Sequence, residues 1–176
     1  MKHILILVGL LAGVSLSAQD GVLNPEELSV NRVMDNVEHG RLDMMTCASG
    51  YFITKAGQHV KARALFEACA EAGYTGAMTW MAQLDANGYG DVYSPESMAK
   101  WDLMAAQGSD PNGLFNYGLD LLRGHGVLQD EERGMAFIDR AAELGLAIAK
   151  TLQQAEYDLD VVTPDADNWK YQPLLN

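Results

Sequence analysis

Apolar residues recur at helical spacing over most of the chain, and glycines separate one helical segment from the next. Apolar side chains three and four positions apart indicate amphipathic helices, and no segment alternates long enough to indicate a strand. Several segments begin with Ser, Asp or Asn followed by proline or glutamate, as helix N-termini do. The predicted helices cover residues 25–38, 42–55, 59–72, 75–86, 94–108, 110–123, 130–144 and 147–157. The sequence therefore predicts an all-α protein.

Three of these segments are similar in sequence. Each has an alanine nine residues before a closing glycine, and neighbouring copies are 35 to 37 residues apart. The pairs are Ala64 with Gly73, Ala99 with Gly108, and Ala136 with Gly145. The helices between them end in Gly-x-Gly turns at Gly88 and Gly124. Such a period is typical of repeat proteins, whose units bury their apolar faces only by stacking. We expect a short α-solenoid of antiparallel helix pairs.

Composition and charge narrow the function classes. The chain has 176 residues, 48% of them hydrophobic and 20% charged, which is the composition of a globular protein. Its formal net charge is −12. This charge argues against nucleic acid and against anionic membrane surfaces as partners, because both are bound through basic patches. Solubility alone is the other explanation of the acidity.

Residues 1–18 have the features of a secretory signal peptide. Lys2 gives a positive start, residues 4–14 are an apolar run too short to span a membrane, and small residues lead to Ala18. We expect cleavage near Ala18; an uncleaved anchor is the alternative. The mature chain would then be secreted, in a periplasmic type of compartment, without inserting into a membrane.

Chemistry-bearing motifs are missing from the sequence. His39, His59 and His125 are isolated, and no metal, nucleophile or phosphate-binding spacing is found. His125 stands between two turn glycines, where we expect an exposed side chain, and Asp102 is expected to be a solvated helix position. We predict no catalytic residue, no metal site and no cofactor.

The repeated positions resemble the Sel1-like repeat family, which is related to the tetratricopeptide repeats. Two units carry the resemblance, over Ala77–Gly108 and Gly113–Gly145, and a degraded unit precedes them from about Arg41. They share small residues in the first helix, a Gly-x-Gly turn, and a second helix that closes in Ala-Ala. The resemblance implies a solenoid that binds other proteins as an adaptor, scaffold or regulator, or as a periplasmic immunity protein.

The repeat register also implies a pairing of the two cysteines. Cys47 lies about ten residues before the turn at Gly57, and Cys69 lies about twelve residues after it. These positions face each other in an antiparallel helix pair, and an oxidising compartment would preserve a disulfide. Two buried free thiols are the alternative.

In such solenoids the first helix of each unit lines the concave side. On helical wheels Trp80, Phe115 and Asn116 fall outside the arc that packs on neighbouring helices. Because aromatic residues dominate protein interfaces, Trp80 and Phe115 are candidate exposed anchors, with Asn116 beside them. The alternative is that the neighbouring repeat covers this arc.

The expected organisation has four parts: signal peptide 1–18, N-terminal arm and helix 19–40, solenoid 41–158, and an acidic, loosely structured tail 159–176. We expect a non-catalytic interaction module of the bacterial envelope, binding a partner protein that the acidic charge would favour to be basic. The alternatives are an immunity or inhibitor protein against a secreted toxin, and an envelope small-ligand binder or enzyme. A pocket of clustered His, Asp and Glu would favour the small-ligand binder or enzyme, and an open groove beside Trp80 would favour protein binding.

Overall fold

The computed structural model describes residues 29–162, and over that range the chain forms nine α-helices followed by a 3₁₀ turn. The helices are α1 Val30–Glu38, α2 Met44–Ala48, α3 Gly50–Lys55, α4 His59–Glu71, α5 Thr75–Asn87, α6 Pro95–Gln107, α7 Pro111–Arg123, α8 Glu131–Glu143 and α9 Ala147–Gln154, and the turn is Leu159–Val161. The predicted all-α solenoid is confirmed. The predicted signal peptide, the arm before α1 and the tail beyond residue 162 lie outside the described residues.

Each helix from α3 to α9 packs mainly on the helices before and after it in sequence. The core is correspondingly divided along the chain. One apolar cluster gathers around Leu65 and Phe66 and reaches as far as Ala105. A second cluster gathers around Ile138 and Leu152. Met98 and Ala99 belong to a small third cluster. This nearest-neighbour packing is the way a repeat protein buries its apolar faces.

The repeat has a constant period of 36 residues, which corrects the register expected from the glycines. Equivalent backbone hydrogen bonds close the three second helices; they join Tyr74 to Cys69, Asp110 to Ala105, and Leu146 to Ala141. The left-handed residue after each helix is Gly73 (φ 93°), Ser109 (φ 59°) and Gly145 (φ 96°). Gly108 has φ −73° and is therefore not the equivalent of Gly73. In the middle unit Ser109 takes the left-handed position, so the distances between the glycines are 35 and 37 residues instead of 36.

Most predicted helix ends agree with the structure, and their caps show why. Ser94, Asp110 and Asp130 accept hydrogen bonds from backbone N–H groups in the first turns of α6, α7 and α8. The predicted helix 42–55 is instead divided at Ser49. Ser49 ends α2, where its backbone N–H is shared between the Met45 and Thr46 carbonyls and its hydroxyl also donates to the Met45 carbonyl at 2.8 Å.

The predicted disulfide between Cys47 and Cys69 is present, with Cα atoms 5.9 Å apart. It joins the short helix α2 to α4 in the first unit. Cys69 is fully buried, and in the 36-residue register it is equivalent to Ala105 and Ala141, which are fully buried too. The disulfide therefore takes the place of a contact between small residues. It fixes the first unit, which is the least regular part of the solenoid.

The second glycine of each Gly-x-Gly turn packs on the start of a helix in the preceding unit. A Cβ at Gly90 would lie 2.8 Å from the His59 carbonyl oxygen, and one at Gly126 would overlap the Pro95 carbonyl. Both glycines also have positive φ, at 76° and 70°. These residues are therefore glycine for two reasons, the reversal of the chain and the close stacking of units.

Replacing Gly126 with alanine is expected to lower the free energy of unfolding by about 2 kcal/mol, since strained backbone and steric overlap add. Gly145→Ala is the matched control: its φ is also positive, but no atom lies within 4 Å of the added Cβ. We expect about 1 kcal/mol there from backbone strain alone. Urea denaturation of both variants measures the difference. Equal losses would show that the contact with Pro95 contributes nothing.

Candidate functional site

A groove follows the first helices of the units, formed by three cavities that share lining residues within the described chain. An apolar cavity of about 380 Å³ lies between α2, α4 and α5, and a polar cavity of about 170 Å³ lies between α5, α6 and α7. A middle cavity joins them through Thr79, Trp80, Gln83 and Asn116. Thr79 lines all three. We refer to the three together as the groove.

Trp80 lines the groove, but it is half-buried and not the freely exposed anchor that the helical wheel predicts. Its ring stacks on Phe66, with ring centroids 5.5 Å apart and planes 3° from parallel, and Tyr51 approaches it edge-on at 5.7 Å. One face of Trp80 therefore belongs to the core of the first unit. At the rim of the same cavity Met44 is 78% exposed.

Phe115 is not a surface anchor, and that prediction is wrong. The side chain is only 7% exposed and belongs to the second apolar cluster. Its side of α7 is covered because α7 packs against α6 and α8 on its two sides. Asn116 lies next to it in sequence but lines the middle and polar cavities, where its Nδ2 donates to Asp102 Oδ1 at 3.1 Å.

The polar cavity collects titratable groups that the sequence did not place together. Asp102, Asp120 and His125 are 3%, 4% and 5% exposed, so the expectations of a solvated Asp102 and an exposed His125 are wrong. His125 is held by Tyr93, whose hydroxyl lies 3.1 Å from Nε2. Its Nδ1 is 3.7 Å from Asp120 Oδ1, beyond hydrogen-bonding distance. Asp120 Oδ2 is buried and accepts no hydrogen bond from the part of the chain described here.

Burial shifts the titration of these groups strongly. Desolvation, and then the neighbouring charge of Asp120, raise the pKa of Asp102 to about 8, although the Asn116 hydrogen bond opposes them. Desolvation also raises the pKa of Asp120 well above its ordinary value, against the opposing charge of Arg123. Burial, and then Arg123, lower the pKa of His125 to about 4. At neutral pH His125 is therefore uncharged, and Asp102 is largely protonated.

The 36-residue register shows how unusual these carboxylates are. Asp102 is equivalent to Phe66 and Ile138, which fill the cores of the first and third units. Asp120 is equivalent to Leu84, because the same turn hydrogen bond closes both helices. The bonds join Tyr89 N to Leu84 O and His125 N to Asp120 O. Two apolar core positions of the repeat thus carry carboxylates that face one cavity. The shifted glycine register hid this signal.

The arrangement suits hydrogen bonding and charge recognition. Among residues 29–162 no three His, Cys, Asp or Glu side chains converge as a metal-binding group. Over the same residues no helix is long and apolar enough to cross a membrane. A further buried pair, Arg63 with Asp85 at 2.7 Å, lies away from the polar cavity and joins α4 to α5.

Several solved structures share this architecture. Cysteine-rich protein B of Helicobacter pylori superposes with a TM-score of 0.59 at 18% identity, over 75% of this chain and 98% of that protein. The protective antigen c5321 of uropathogenic Escherichia coli, which has an SLR fold, gives 0.61 at 19% identity over 80% of this chain and 31% of that one. A Sel1 repeat protein from Oxalobacter formigenes gives 0.58 at 22% identity, over 70% and 50%.

The sequence itself matches no protein-family model and no curated protein. At identities below 25% the structural likeness concerns the fold. The period of 36 residues, the antiparallel helix pairs and these superpositions agree with one another. The structure of the described chain is that of a Sel1-like repeat solenoid.

Proposed function

We propose that this protein is a non-catalytic interaction module of the bacterial envelope that binds an extended segment of a partner protein in the groove. The observation that carries the proposal is the groove itself, which passes from an apolar to a polar cavity along the exposed sides of successive units. Solenoids form extended surfaces of this kind because their units stack in one direction.

The lining of the groove has the composition of an interface. The apolar cavity offers Trp80 and the exposed Met44, an aromatic residue and a flexible thioether of the types enriched in protein interfaces. The middle cavity offers the amides of Gln83, Asn112 and Asn116, which can hydrogen-bond to a peptide backbone. The groove therefore provides an apolar anchor point followed by hydrogen-bonding groups.

The location and the partner's charge rest on separate observations. The disulfide between Cys47 and Cys69 supports an oxidising compartment, in agreement with the predicted signal peptide. The formal charge of −12 favours a basic partner, which includes an inhibitor or immunity role against a secreted basic toxin.

Site-specific cross-linking tests the groove directly. A photo-reactive residue in place of Gln83, which is exposed in the groove, is expected to link the protein to one partner in envelope extract, at a defined segment of that partner. The matched control carries the same residue in place of Lys100, which is exposed on α6 outside the groove. Linkage from Lys100 at the same partner segment, or none from Gln83, would contradict the proposal.

A small-ligand binder is the second candidate, and the polar cavity is the observation that favours it. The cavity holds about 170 Å³ and has two buried carboxylates, enough room and polarity for a small polar compound. Mass spectrometry of the intact protein under native conditions tests this candidate. A bound compound that is lost in Asp120→Asn would support it.

A further inference from the structure

We propose that the polar cavity receives the ammonium group of a lysine side chain from the partner segment, held by Asp102 and Asp120. This inference rests on the proposed function, because the lysine enters from a segment lying in the groove. It names the chemistry that the polar end of the groove recognises.

Stability does not account for the two carboxylates. At equivalent positions the neighbouring units carry Phe66, Ile138 and Leu84, all buried and apolar. A carboxyl group in such a position loses its hydration and is incompletely compensated here. Two substitutions of this kind, from two helices of adjacent units, converge on one cavity. Their shared location indicates that the cavity binds something with which the carboxylates interact.

The geometry leaves acceptors available to a donor. Asp120 Oδ2 is buried at the cavity without a hydrogen bond from residues 29–162, and Oδ1 is 3.7 Å from Nδ1 of the neutral His125, beyond hydrogen-bonding distance. Asp102 has one amide donor, from Asn116. An ammonium group has three donors and no acceptor, and thus supplies what these oxygens lack.

An ammonium group matches the charge of the cavity once both carboxyl groups are ionised, and its binding therefore favours ionisation of Asp102, which is otherwise largely protonated at neutral pH. Asp102 and Asp120 carry two negative charges when ionised, Arg123 lines the same cavity with one positive charge, and His125 is neutral. The ionised cavity therefore has a net charge of −1, which one ammonium group neutralises. The cavity volume of about 170 Å³ suits the end of one side chain.

The position of the cavity favours a side chain of a longer molecule over a free amine. It opens into the middle cavity through Thr79, Gln83 and Asn116, which line both. A segment whose apolar residue sits beside Trp80 would pass over these residues with the lysine pointing toward Asp102. The acidic charge of the whole chain attracts the same kind of segment.

The n-butylammonium ion reproduces the end of a lysine side chain and serves as the probe. The chloride salt is added at about 50 mM, a concentration suited to a weak ligand. In carboxyl-detected NMR titrations it is expected to lower the pKa of Asp102 from about 8 to about 7. The Asn116 side-chain amide signal should shift at the same time. Groups that face Asp102 and are followed in the same spectra are Asp110, Asp120 and His125.

Sodium chloride at equal concentration and n-butanol are the probe controls, since they supply ionic strength and the alkyl chain separately.

Asp120→Asn should weaken n-butylammonium binding at least about tenfold, as expected for a charge-assisted contact. Asp91→Asn removes an exposed aspartate outside the cavity and should leave binding unchanged. Asp120→Leu restores the residue type of the neighbouring unit, Leu84, and is a second variant that should lose n-butylammonium binding. Equal responses to all three additives, or to both aspartate variants, would overturn the inference.

Cross-linking to the partner distinguishes a lysine side chain of the partner from a free amine. With the photo-reactive residue at position 83, Asp120→Asn should reduce linkage to the partner, and the linked segment should contain a lysine. Undiminished linkage with Asp120→Asn overturns the lysine inference while the groove remains the binding surface. Absence of linkage in the parent protein contradicts the proposed function itself, so the two failures are distinguishable.

Discussion

Replacing Cys47 and Cys69 together with alanine is expected to lower the free energy of unfolding by about 3 kcal/mol. The disulfide closes a loop of 22 residues, and opening it restores conformational freedom to the unfolded chain. The native state also loses its tie between α2 and α4. Alanine is the residue that the other units carry at the position of Cys69, so the buried site itself accepts the change.

Urea denaturation of the oxidised parent protein, the reduced parent protein and the double variant measures this effect. The reduced parent protein should unfold at the same urea concentration as the double variant, and a reductant should not affect the variant. Hydrogen exchange should increase in α2 and α3 and stay unchanged in α8 and α9, which pack mainly on their sequence neighbours. Coincident unfolding of the oxidised and reduced parent proteins would contradict the prediction.

The parent protein is expected to lose about 2 kcal/mol of stability between pH 6.5 and pH 8 because of Asp102. In the unfolded chain this carboxyl group is ionised throughout the window, whereas the folded protein keeps its proton until the pH approaches a pKa of about 8. The folded state therefore binds more protons, and rising pH favours unfolding. His125 acts in the opposite direction, since its pKa falls from an ordinary 6.5 to about 4 on folding, but most of its contribution is gained below pH 6.5 and only about 0.4 kcal/mol is added between pH 6.5 and pH 8.

Free energies of unfolding from urea titrations at several pH values test this expectation. Asp102→Asn should reduce the slope above pH 6.5, and addition of Asp120→Asn should remove it, because the pKa of Asp120 is raised too. The Asp91→Asn control, outside the cavity, should keep the parent slope. A parent protein with constant stability from pH 6.5 to pH 8 would show that Asp102 is ionised in the folded state.

The helices and their order could be predicted because their signals are local. Caps such as Ser94, Asp110 and Asp130 are determined by a few neighbouring residues, and the apolar spacing indicates which face of each helix is buried. The register was less accessible from glycines alone. Ser109 adopts a left-handed conformation that sequence patterns assign to glycine, so glycine spacing alone places Gly108 at the position of Gly73 and Gly145.

The groove was only partly predictable from the sequence, since it depends on contacts between units. Trp80 and Asn116 line it, but Phe115 is buried in the second apolar cluster because α7 packs against α6 and α8 on its two sides. A helical wheel identifies one apolar face and does not show how many neighbours a helix has. In the 36-residue register, Asp102 and Asp120 are recognisable as polar residues at positions that are apolar in other units.

The contact between Gly126 and Pro95 joins two units through main-chain atoms. Such a junction depends on a glycine and a fixed chain length, and it places no demand on the side chains that line the groove. Exposed groove residues such as Gln83 and Asn112 can therefore be exchanged one at a time while the scaffold keeps its geometry, and whole units can be copied in steps of one period. A new binding specificity in this architecture needs substitutions along the groove and no new fold.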